Sequence, residues 1–191
     1  MDDKITSHRY LYNFIKRKVS LVELEQWLYN NIELEEYLGE MEYLEFVSRN
    51  YKSKYAFQDT EKQILNLINI GYYEQERIIK HLTDLTKYSE EFLGIMEVLY
   101  DDYCDGYHFL RYIAFAFITT SDEYKELLQR DHIKLMDYRE PVKQESYRLL
   151  DFFEREELKI EIEHNYIDLR KIEDRIELHS IDEMMKKERD V

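Results

Sequence analysis

The side chains of this chain best equipped for chemistry are six histidines, one cysteine and 42 carboxylates, and their spacing decides what they can do. His8, His81, His108, His132, His164 and His179 lie far apart and form neither an HExxH nor an HxH pair. Cys104 and His108 stand i, i+4, which would aim both at one ion on an unbroken helix. Gly106 between them argues against that continuity, and two ligands do not make a metal site. The expectation is a buried thiol and a surface histidine. Asp101-Asp102-Tyr103-Cys104-Asp105-Gly106 has the acids and the glycine of a calcium loop at its first, fifth and sixth positions. Tyr112 then occupies the twelfth, where a bidentate Glu is required.

With 42 acids some carboxylate pair is always close in space, so no pair picked from sequence indicates acid–base catalysis. There is no GxSxG. The Arg-to-His spacing of HEPN ribonucleases is also missed, because only three residues separate Arg77 from His81 and Arg175 from His179. These absences lead us to expect no catalytic residues, no metal, no cofactor and no enzyme activity.

Composition narrows the field further. The 191 residues include one Cys, four Gly, one Pro and 18 Tyr, with a net charge of -15. One Cys excludes an intramolecular disulfide framework. Four Gly leave no phosphate-cradling loop or dinucleotide fingerprint. The acidity argues against direct nucleic-acid or membrane-surface binding, whose ligands are anionic. The first residues lack the apolar core of a signal peptide, and the most apolar run, 112–118, is too short to span a membrane. A cytoplasmic location is expected.

Few glycines and prolines favour long helices, and the apolar spacing agrees. Leu34, Tyr37, Leu38, Met41, Leu44 and Val47 predict one helix over 32–48. Phe92, Leu93, Met96, Leu99, Tyr100 and Tyr103 predict another over 89–105. Ser20 followed by Glu23 is a capping-box pattern. Ser121 precedes Asp122 and Glu123, and Pro141 suits the first turn of a helix running to about 155. Further helices are expected at about 7–18, 58–69 and 73–87, with breaks at Asn30-Asn31, Gly71 and Gly106. Leu158, Ile160 and Ile162 then alternate with Lys159, Glu161 and Glu163, the rhythm of a half-buried strand. That predicts a β-hairpin at about 158–169, against a continuous charged helix from 142 to 189. The fold expected is mainly α: a single-domain helical bundle of about seven to nine helices over 1–191, with one short C-terminal hairpin and a frayed tail at 184–191.

The charge is concentrated. Residues 20–48 hold eight Glu, residues 88–110 hold six acids, and neither stretch has a Lys or Arg. Glu97, Asp101 and Asp105 lie at i, i+4 and i+8, opposite the apolar stripe of their helix. Glu36, Glu40 and Tyr43 are expected on the outward face of theirs. These six residues are the predicted partner-binding set, because acids steer a basic protein and Tyr adds contact area with few rotamers to freeze. The bland alternative is a solvated face.

Residues 20–35, SLVELEQWLYNNIELE, resemble the opening of small acidic immunity proteins of bacterial polymorphic-toxin and contact-dependent inhibition systems. Residues 43–47, 50–52 and 99–110 (LYDDYCDGYHFL) extend the similarity to about a fifth of the chain. The resemblance implies a cytoplasmic, non-enzymatic antidote that binds a cognate toxin domain, often a nuclease, and covers its active site or substrate groove. It carries over no binding residue. A nucleic-acid-mimicking inhibitor of the phage type and a helical scaffold remain open alternatives.

Overall fold

The computed structural model describes residues 4–87 and 89–175. It is mainly helical, with ten α-helices among the described residues and one two-stranded sheet. The chain groups into two compact units that divide at Tyr73/Glu74. This boundary falls inside a helix, Ile70–Thr86, which is why no Pro/Gly/Ser-rich linker marks it in the sequence.

The first unit contains α1 (Lys4–Ile15), α2 (Leu21–Asn30), α3 (Leu34–Leu38), α4 (Glu40–Val47), α5 (Ala56–Leu67) and the start of α6 (Ile70–Thr86). Its core is built around Leu11, Phe14, Leu24, Leu28, Leu34, Phe46 and Ile64, all essentially inaccessible. The capping box forms as read. Glu23 N donates to Ser20 Oγ at 3.2 Å and Ser20 N donates to Glu23 Oε2 at 2.8 Å, so two otherwise orphan donors of α2 are satisfied.

The single helix expected over 32–48 is two helices. Gly39 adopts φ +98°, closes α3 by donating its N–H to the Glu35 carbonyl, and opens α4 by accepting from Tyr43 N. A Cβ there would stand 2.7 Å from a Glu42 carboxylate oxygen, and this left-handed backbone suits only glycine. The break resets the helical phase. Leu34 and Leu38 face the core before it, but Tyr43 and Phe46 do so after it, which leaves Met41 and Leu44 exposed.

The second unit contains the rest of α6, α7 (Phe92–Cys104), α8 (Arg111–Ile118), α9 (Asp122–Arg130), α10 (His132–Glu154), β1 (Leu158–Ile162) and β2 (Asn165–Asp168). Its core gathers Ile78, Leu82, Phe92, Met96, Leu99, Leu110, Ile113, Leu149 and Leu158. On α7 the buried set is Phe92, Ile95, Met96, Leu99 and Asp102, with Leu93, Tyr100 and Tyr103 packed at its margin.

Pro141 lies inside α10 rather than in its first turn. The helix starts at Asp131, whose carboxylate accepts from Ile133 N and Lys134 N, both at 3.1 Å. Proline removes the bond to the Asp137 carbonyl. Tertiary ties on both sides carry the helix across the gap: Tyr138 Oη donates to the Ala116 carbonyl at 2.7 Å, and Val142 and Leu149 are buried beyond it. Gly71 likewise sits in the first turn of α6, and the break before it is at Ile68-Asn69, where Asn69 Oδ1 accepts from Tyr72 N.

The alternation at 158–162 gives the expected antiparallel hairpin, with Leu158 opposite Asp168 and Ile160 opposite Tyr166. A two-stranded ribbon is marginal alone. Here Leu158 and Ile160 are buried, Ile160 N donates to Gln75 Oε1 at 3.0 Å, and His164 N donates to the fully buried Tyr107 hydroxyl at 3.0 Å. His164 turns the chain at φ +62°. The tail expected to fray at 184–191 lies outside the described residues.

Candidate functional site

The sequence-predicted partner residues divide between the units. In the second unit Glu97, Asp101 and Asp105 are all exposed, on the side of α7 away from its buried stripe. At 1.5 Å of rise per residue they form a ridge about 12 Å long. None of the three is in an ion pair among the described residues. Asp105 is the C-cap of α7, and the last turn carries no basic residue. Carboxylates at that end oppose the helix dipole, by about 0.3–1 kcal/mol each, and repel one another at i, i+4. A sequence selected only for stability would place Lys there.

Asp102 is not part of this ridge. It points inward and takes the Arg77 guanidinium in a bidentate pair, Nη1 to Oδ2 at 2.8 Å and Nη2 to Oδ1 at 2.7 Å. Arg77 also donates from Nε and Nη2 to Glu74 Oε2, at 3.1 and 2.7 Å, and the Glu74 side chain is wholly inaccessible. Burial works against the Arg77 charge, but Asp102 and then Glu74 more than offset it and hold the guanidinium pKa above its ordinary value. One of the six acids read in 88–110 is therefore neutralised, by a cation 25 residues away.

Cys104 is exposed, not buried as expected, because it closes α7 on the outward side. His108 is also exposed, on a separate 3₁₀ turn, His108–Leu110, and its ring lies edge-on to Tyr103. Hydrogen bonding and charge from Cys104, followed by burial and the charge of Asp101, push the Tyr100 hydroxyl above its usual pKa.

In the first unit Glu36 on α3 and Glu40 on α4 are exposed, on opposite sides of the Gly39 break. Tyr43 is a correction. It is a core residue, 9% exposed, and its hydroxyl donates to the Leu28 carbonyl at 3.2 Å. The phase shift at Gly39 turns it inward.

Among the described residues no group of three or more His, Cys, Asp or Glu is placed to hold a metal ion, and no helix is long and apolar enough to cross a membrane. The spacing of the acids signals the ridge in advance. By contrast, the basic lining of a small cleft in the second unit (Arg111, Arg170 and Arg175) is scattered along the sequence and gives no such signal. Comparison of the chain with family models, curated proteins and solved structures found no match in any of the three.

Proposed function

We propose that the protein is a non-enzymatic immunity protein that binds a basic bacterial toxin domain, a nuclease, and covers its substrate groove. The observation that carries this reading is the α7 ridge: three exposed carboxylates on one helix face, none in an ion pair among the described residues, with Asp101 and Asp105 at the C-terminal end where they oppose the dipole. Such a ridge adds long-range attraction for a cationic groove that would otherwise hold a polyanion. Glu36 and Glu40 supply a second acidic patch on the first unit.

The test is the triple reversal Glu97→Lys, Asp101→Lys, Asp105→Lys, assayed against the product of the neighbouring open reading frame. Co-expression of the wild-type protein should relieve that product's toxicity, and the two should copurify. The reversal should lower affinity at least about tenfold, mostly through the association rate, and flatten the dependence of binding on salt. Unchanged binding by the triple variant would refute the surface assignment. Capture of a host DNA-binding complex in competition with DNA, with no toxic neighbour, would refute the immunity reading.

A further inference from the structure

The face of α4 turned away from the core of the first unit combines exposed apolar side chains with unneutralised acids. Met41 is 75% exposed and Leu44 49%, one turn apart on the helix. Glu40 neighbours Leu44 at i, i+4, and Glu45 neighbours Met41 at the same spacing. Tyr29 Oη donates to the Val47 carbonyl at 2.9 Å, which sets the half-exposed Tyr29 ring of α2 beside the C-terminal end of α4. Gln63 Nε2 donates to the Glu42 carbonyl at 3.0 Å and ties α5 to α4. Between these two helices runs an open crevice of about 650 Å³ whose lining includes Glu42, Glu45 and Asp59.

The Gly39 break turns Met41 and Leu44 outward whatever meets them, so their exposure by itself names no occupant. The charge around them does. Glu33, Glu35, Glu36, Glu40 and Glu42 are exposed, and none is in an ion pair among the described residues. Glu45 meets Arg49 at 3.3 Å, but the Arg49 side chain is mostly buried and its Nη2 also donates to Gln63 Oε1 at 2.6 Å. Lys62, on the α5 side of the crevice, is the other cation in its lining. From Ser20 to Ser48 there is no Lys or Arg. A second copy of this chain would bring like charges together on this face, and an anionic lipid surface would be repelled by it.

We propose that this face docks a basic amphipathic helix of a partner protein. Apolar side chains of such a helix, spaced i, i+3 or i+4, i+7, meet Met41, Leu44 and Tyr29. Lys and Arg on its flanks reach Glu40 on one edge of α4 and Glu42 and Glu45 on the other. The flexible thioether chain of Met41 adapts to the shape of an apolar partner. The first unit has no strand among the described residues, so it offers no sheet edge to which an extended peptide could add. The proposal stands apart from the immunity reading, because it concerns the first unit and holds whatever protein carries the helix.

Fluorescence anisotropy of a labelled synthetic peptide, titrated with the full chain at low salt, tests it. The probe is about four turns of Leu and Lys, with Leu at i, i+3, i+4 and i+7. Saturable binding with a Kd of about 100 µM or tighter is expected, and a Leu/Glu peptide of the same pattern should not bind. Met41→Gln and Leu44→Gln, both at exposed positions, should each weaken binding at least about fivefold with far-UV circular dichroism unchanged. Glu40→Gln with Glu42→Gln should do the same and flatten the salt dependence. Glu97→Gln with Asp101→Asn, which removes the same charge from the second unit, should leave the affinity within about twofold. Absence of saturation by ~0.5 mM protein would overturn the proposal, as would wild-type affinity in both the Met41 and Leu44 variants. Equal weakening by the two charge-removing pairs would also overturn it, since the attraction would then be diffuse. So would equal binding of a Lys/Ser peptide without Leu, since the apolar pair would then be idle.

Discussion

Replacing Arg77 by Met tests whether Glu74 and Asp102 depend on the cation they share. The Arg77 side chain is 13% exposed and bridges Glu74, at 0%, and Asp102, at 11%. Methionine keeps most of the aliphatic stem and removes all four charge-assisted hydrogen bonds, leaving two carboxylates in the interior without their shared counter-ion. Breaking a buried pair from one side typically costs about 3–5 kcal/mol, a large part of the roughly 5–15 kcal/mol by which a domain is stable. Asp102→Asn should cost less, about 1–3 kcal/mol, because Arg77 still has Glu74 beside it. The double variant should be less destabilised than the sum, since removing the Asp102 charge relieves the repulsion that the loss of Arg77 creates. Urea unfolding followed by circular dichroism measures all three, read as a shift in midpoint at constant slope. If Arg77→Met cost under about 1 kcal/mol, or if the two changes were strictly additive, the network would not be a coupled unit and this account of Asp102 would fail.

Two further outcomes follow from local geometry. Gly94 is exposed inside α7, and a Cβ built there meets nothing within 4 Å, so Gly94→Ala should stabilise the protein by about 1 kcal/mol in the same unfolding assay; a loss would mean the site is not open. Burial alone would raise the Asp168 pKa, but the hydrogen bonds and charge of Arg170, with the charge of Arg175, outweigh it and hold the carboxyl below its ordinary 3.8. A lowered folded-state value contributes stability that is present above that ordinary value and lost as pH falls through the folded one. The urea midpoint should therefore decline below about pH 4, and Asp168→Asn should flatten that part of the decline, whereas an identical acid profile would remove Asp168 as its source.

Local signals survived folding. The capping box at Ser20 and Glu23, the alternation over 158–162 and the outward position of Glu97, Asp101 and Asp105 each depend on residues within a few positions of one another. Features set by distant partners did not show. Asp102 is indistinguishable in sequence from the surface acids because its cation sits on α6, and the spacing around Cys104 does not fix where α7 ends, which is what decides its exposure. Proline alone favours a helix start, while the ties that let α10 run through Pro141 come from Ala116 and from the core beyond. The lining of the cationic cleft comes from positions 108–111 and 166–175, which only the hairpin brings together.

The Gly39 break has a consequence for Met41 and Leu44. Residues 34–47 contain two amphipathic solutions: an uninterrupted helix would bury Leu34, Leu38, Met41 and Leu44, and the broken one buries Leu34, Leu38, Tyr43 and Phe46. A residue without a side chain selects between them by rotating everything that follows. The apolar pair left in water is thus the unused half of that choice, and its exposure is explained by the backbone at a single position without invoking anything that binds there.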